Sequence, residues 1–69
     1  MSAVTLLTVS EAEGEQRLDK WFKRRFPQVT QGAVEKMCRT GQVRVDGARA
    51  KASDRVAPGM TIRVPPLPD

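Results

Sequence analysis

The stretch QVRVDGARA, residues 42–50, constrains this chain more tightly than any other. Val43 and Val45 alternate with polar neighbours, which is the period of a strand with one buried face, and Asp46-Gly47 is a two-residue hairpin signal. The rest of the chain has to cover the buried face of that hairpin.

Ala3 to Val9, AVTLLTV, is short, apolar and β-branched and runs into the polar SEAEGEQ, so it reads as an edge strand followed by a loop. From Arg17 the spacing changes. Leu18, Trp21, Phe22 and Phe26 fall at i, i+3, i+4 and i+8, on one side of a helix that Pro27 stops. At about 100° per residue, Arg17, Lys20 and Arg24 gather on the opposite side, with Lys23 at its edge. A second helix is framed by Thr30 as N-cap, Val29 and Val34 as a hydrophobic staple, and Gly41 at the position after the C-cap. Ala33, Val34, Met37 and Cys38 share its inner arc, while Gln31, Glu35, Lys36 and Arg39 lie toward the outer one. Cys38 is thereby expected to be a small buried residue rather than a reactive thiol. KASDRVAPGM is turn-rich, TIRV alternates as a strand, and PPLPD is unsuited to a central strand. The expected fold is α+β: two helices packed on a small antiparallel sheet with a β-hairpin, the opening strand pairing with TIRV. Residues 1–64 form one domain in this reading, and 65–69 begin a proline-rich linker.

Charge narrows the function. All 12 cations lie between Gln16 and Pro68 with only four carboxylates, Asp19, Glu35, Asp46 and Asp54, a local excess of eight. A basic middle suits an anionic polymer, although a merely soluble basic surface has the same composition. The chain has no histidine, one cysteine and no Gly-rich phosphate loop, so metal, disulfide and nucleotide chemistry find few residues to use and no cofactor is expected. No apolar run is long enough for a membrane span and the first residues do not resemble a signal peptide, which makes the cytoplasm the expected location. Asp19 falls in the first turn of the first helix, where a carboxylate offsets the helix dipole. Phosphates could be held by the basic helix face, by free N–H groups at Thr30, Gln31 and Gly32, and by Arg39, Arg44 and Arg49 around the turn that follows. Gly32 either admits a phosphate close to the backbone or is simply tolerated in the first helical turn. With no tyrosine and both phenylalanines expected inside, base stacking contributes little.

The order of these pieces, RLDKW, then TQGAVEKMCRTGQVRVDG, AKAS and PGMTIRV, resembles the S4 or alpha-L RNA-binding domain, specifically the version that precedes the catalytic domain of large-subunit ribosomal RNA pseudouridine synthases. The resemblance covers about Gly14 to Val64, and the opening strand and VPPLP exit are also similar to that subfamily. It implies an RNA-facing surface with Arg17, Lys20, Thr30, Gln31, Lys36, Arg39 and Arg44, to which the helix geometry adds Arg24 and Gly32. Gln31 stands where that family often has arginine, and Met60 where an acidic residue is frequent. The family's catalytic aspartate sits in a separate domain, in a motif that also contains Arg-Leu-Asp but continues toward Thr-Ser-Gly; here Asp19 is followed by KWFKRRF. The resemblance therefore implies a recognition module without the isomerase centre, a monomer by default, with a catalytic domain expected in the same polypeptide. Three alternatives remain: a standalone S4-like ribosome-associated stress or quality-control protein, a DNA-binding helix-turn-helix module, and an enzyme using Asp19.

Overall fold

In a computed structural model, which describes residues 4–67, the Asp46-Gly47 turn joins two short strands with Val45 opposite Ala48 and Arg44 opposite Arg49. Both turn residues take positive φ, 52° and 82°, as a tight two-residue hairpin requires. In chain order the elements are β1 (Thr5–Thr8), β2 (Gln16–Arg17), α1 (Leu18–Arg25), α2 (Gln31–Arg39), β3 (Arg44–Val45), β4 (Ala48–Arg49), β5 (Arg55–Val56) and β6 (Thr61–Val64). A four-stranded antiparallel sheet has the order β1-β6-β3-β4, and β2 and β5 form a separate antiparallel pair. The expected α+β architecture is therefore present, with β1 on the sheet edge and pairing with TIRV as read from the sequence. Ala3, the first residue of the expected opening strand, lies outside the described residues.

Alternation along β6 decides what each face of the sheet carries. Leu7, Ile62, Val45 and Ala48 form one cross-strand row, and Leu6, Arg63, Arg44 and Arg49 form the next, on the other face. The first row meets the helices. Leu18, Trp21 and Phe22 of α1, Val34 of α2, Val43 and Ile62 are all fully buried, joined by Val9, Val29, Cys38 and Val56. Trp21 and Phe22 meet edge to face with centroids 5.9 Å apart. Pro65 is buried and Leu67 packs against this core, so the domain still holds the chain at residue 67.

The caps of α2 follow the sequence closely. Thr30 Oγ1 accepts from the Ala33 N–H at 3.2 Å, and both staple valines are buried. At the other end the Gln42 N–H donates to Met37 O and the Gly41 N–H to Cys38 O, with Gly41 at φ +79°. That pair of bonds satisfies the last carbonyls and turns the chain into the hairpin. Helix α1 begins differently. Arg17 is extended, φ −68° and ψ 145°, and pairs with Arg55 in β2, so it is the N-cap residue and not part of the helical cationic row expected with Lys20 and Arg24. The β2–β5 pairing is the physical cause, since it holds Arg17 in strand geometry up to the residue before the helix.

The loop ahead of β2 is clamped to α1 by Glu13. Its carboxylate accepts from Arg25 Nε at 3.0 Å and from the Ser10 N–H at 2.8 Å, while the Arg25 guanidinium lies 5.6 Å from the Trp21 ring centroid. Arg25 first, then the Ser10 N–H, hold this carboxyl down at about 2 from an ordinary 4.5, outweighing the opposing effect of burial; the Trp21 indole N–H adds a weaker pull without reaching hydrogen-bond geometry. A depressed folded-state pKa stabilises the fold above the ordinary value, and that contribution is lost as pH falls toward about 2. Urea midpoints measured from pH 6 down to about 2 are expected to fall more steeply for the wild-type chain than for Glu13→Gln, which carries no such titration.

Candidate nucleic-acid interface

The first helix has no free N-terminus to offer a ligand. The N–H of Leu18 donates to Asp54 O at 2.7 Å, that of Asp19 to Ala52 O at 3.0 Å, and that of Lys20 to the Asp19 carboxylate at 2.8 Å. Residues 51–54 are thus drawn onto the start of α1. The contact borders a cleft of about 600 Å³ between Arg17 ahead of α1, the C-terminal half of α2 and residues 49–54. Arg17, Arg39, Arg49 and Lys51 line it, with Glu35 and Asp54 among them and Cys38 and Ala52 in its wall. Four cations from three separate stretches of the chain face one concavity, which is the arrangement that concentrates positive potential. Arg49 also donates to Arg39 O at the end of α2, where a cation complements the helix dipole and the orphan carbonyls.

Behind the cleft stands Asp19, which is only 5% exposed. Its Oδ2 accepts from Arg17 at 3.0 Å and from Gln31 Nε2 at 2.9 Å, and its Oδ1 from the Lys20 N–H. Burial pushes its pKa up, yet the bonds from Gln31, the Lys20 N–H and Arg17 together outweigh it and hold the carboxyl below the ordinary value. Both oxygens are thereby occupied: Oδ1 caps the first turn of α1, and Oδ2 joins that turn to the start of α2 through Gln31. This is the geometry of an organising carboxylate and gives no support to Asp19 as a catalyst. Cys38 is similarly inert: burial, then the nearby Asp54 and Asp19 charges, push its thiol up to about 11.

The residues expected to face RNA divide into several groups. Arg17 and Arg39 come together in the cleft. Lys20, Arg24 and Lys36 are exposed but lie outside it. Thr30 is occupied as the cap of α2, whereas the Gln31 and Gly32 N–H groups have no hydrogen-bond acceptor among the described residues and no described atom beyond the helix and its neighbours lies within 4 Å of where a Cβ on Gly32 would stand. The Gln31 side chain is half-buried and donates to both Asp19 and Glu35, so it ties the helices together instead of reaching outward. Arg44 stands on the outer face of the sheet. Lys51 and Ser53 were missed. Their only sequence signal is the AKAS segment, because the pairing of β5 with β2 that brings them to the cleft leaves no local trace.

Among the described residues, no group of three or more His, Cys, Asp or Glu side chains could hold a metal, and no helix is long and apolar enough to cross a membrane. Residues 16–62, more than half of the 69-residue chain, match the S4 domain. The chain belongs to the S4 domain family. That match covers both helices, the hairpin and the cleft of this S4 domain, and it implies RNA binding. Among curated proteins the chain is similar to ribosomal large subunit pseudouridine synthase C of Haemophilus influenzae, 33% identical over 66 residues, which are 96% of this chain and 20% of that protein. The same enzyme of Yersinia pestis is 34% identical over 93% of the chain and 20% of its own length, and that of Rickettsia typhi 50% identical over 67% and 15%. The chain therefore spans about a fifth or less of the length of these relatives.

Proposed function

We propose that this S4 domain is the targeting module of a large-subunit ribosomal RNA pseudouridine synthase, which holds structured RNA by its phosphates while a catalytic domain in the same polypeptide performs the isomerisation. The gathering of Arg17, Arg39, Arg49 and Lys51 around one cleft is the observation that carries this reading. Trp21 and Phe22 are fully buried and Phe26 is half-buried, so recognition rests on phosphate position and RNA shape rather than on base stacking. In this reading the domain is a cytoplasmic monomer, the proline-rich stretch that begins at Pro65 packs on the domain as far as Leu67 before leading toward the enzyme domain, and neither metal nor cofactor takes part. The exposed Lys20, Arg24 and Lys36, with the open N–H groups of Gln31 and Gly32, extend the phosphate-binding surface beyond the cleft.

The test is affinity for a labelled stem–loop of large-subunit ribosomal RNA as a function of salt. A steep log–log decline is expected, and Arg17→Gln with Arg39→Gln should make it shallower by about 1.4–1.8, the sum of two lost phosphate contacts. Affinity that does not change with salt, or equal affinity for a DNA duplex of the same length, would overturn the proposal.

A further inference from the structure

The outer face of the sheet carries a feature that the cleft does not explain. Arg63 of β6, Arg44 of β3 and Arg49 of β4 sit directly opposite one another on three adjacent strands. Like charges directly opposite one another across a sheet are destabilising, whereas opposite charges there stabilise. Here, among the described residues, none of the three has a carboxylate within 4.0 Å; the ion pairs present join Arg17 to Asp19, Arg25 to Glu13 and Arg55 to Glu15. Each arginine instead donates to a backbone carbonyl at the end of α2 or in the turn after it: Arg49 to Arg39 O, Arg44 to Gly41 O at 3.1 Å and Arg63 to Gln42 O at 2.6 Å. Gly41 lies beside this convergence: a Cβ there would stand 3.4 Å from Arg49 Nε and 3.7 Å from an Arg44 nitrogen, ordinary contact distances, and it is the φ of +79° that favours glycine.

One carbonyl bond consumes one of the five N–H groups of a guanidinium and fixes its plane, leaving the others available. Arg44 and Arg49 are exposed and Arg63 is half-buried, so the row is accessible along its length. We propose that Arg63, Arg44 and Arg49 form a second phosphodiester site, on the sheet face and distinct from the cleft, that takes a further stretch of the RNA backbone across the strands. Arg49 lines the cleft as well as ending the row, so it joins the two sites into one continuous track. The row spans two inter-strand spacings, about 10 Å, enough for more than one phosphate to be held at once. A role confined to pinning the turn would require the carbonyl bonds but not a row free of carboxylates.

This inference rests on the RNA-binding reading above, and the experiment separates the two. The labelled ribosomal stem–loop is titrated with the wild-type chain, Arg44→Gln/Arg63→Gln, and Arg17→Gln/Arg39→Gln, over a series of salt concentrations, with thermal melting of each chain alongside. The sheet-face pair is expected to weaken binding at least tenfold at low salt and to reduce the slope of log affinity against log salt by about 1.4–1.8. In parallel, the Nε–H resonances of Arg44 and Arg63 in the wild-type chain should shift on addition of the stem–loop, which tests the site even if the double variant folds poorly. A wild-type slope in a folded Arg44→Gln/Arg63→Gln chain, or unmoved Arg44 and Arg63 resonances at saturating RNA, overturns the second site while leaving the cleft intact. Failure of the wild-type chain to bind the stem–loop overturns the RNA reading itself.

Discussion

Trp21→Ala is expected to leave the chain largely unfolded at 25 °C. Trp21 is fully buried between Leu18 and Phe22 of its own helix and the residues packed behind them, with one ring face covered by Arg25. Truncating a buried aromatic of this size costs about 3–5 kcal/mol, because the transfer free energy is lost and the surrounding residues cannot close the cavity. A 69-residue domain has a total stability of only about 3–10 kcal/mol, and its small core offers few neighbours able to collapse into the space. Far-ultraviolet circular dichroism and urea titration measure the outcome. A cooperative transition with a wild-type midpoint would show that the ring is not the centre of the core.

The second large effect is expected at Asp19. Replacing it with alanine removes the acceptor shared by Arg17, Gln31 and the Lys20 N–H, and should cost about 2 kcal/mol, since hydrogen bonds to a buried carboxylate are stronger than neutral ones. Asp19→Asn keeps an oxygen for the Lys20 N–H and should lose less. The pH dependence has a definite sign. Because the folded-state pKa lies below the ordinary aspartate value, the carboxylate stabilises the fold above that value, and the contribution disappears as pH falls through the folded one. The stability difference between wild-type and Asp19→Ala chains should therefore shrink on acidification. A difference that stays constant down to pH 2 would mean that the charge of Asp19 contributes nothing and that only its size matters.

The contrast between Asp19 and Asp46 illustrates what could be read in advance. Asp46-Gly47 acts through its own backbone dihedrals, so the turn was legible from two letters and their alternating flanks. Placement of Asp19 in the first turn of a helix was equally legible, and so was its local electrostatic role. Its bond to Gln31, 12 residues away, was not, because nothing in a helical wheel says which outer-arc residue of one helix meets the start of the other. The sequence put Gln31 on the outer arc, and the structure turns its side-chain amide onto Asp19 and Glu35. The expectation for Arg17 failed: a helical period was extended by one residue across a boundary that a two-residue strand pair imposes.

Local chemistry, read along the chain, determined the hairpin, both caps of α2, the apolar arcs of the two helices, the strand character of the first and last strands and the cationic bias of everything after Gln16. Each depends on residues within one element or on the alternation that a pleated strand enforces. Only the tertiary structure decided that Arg55–Val56 would pair with Gln16–Arg17, and this pairing draws Lys51 to Asp54 onto the start of α1 and closes the cleft. It also decided the row of Arg63, Arg44 and Arg49, since register between strands as far apart in sequence as β3 and β6 is set by packing of Ile62 and Val45 on the shared buried face. The cations were visible from the outset; which of them share a surface is a property of strand register and helix docking, and those are fixed by burial at positions distant in the chain.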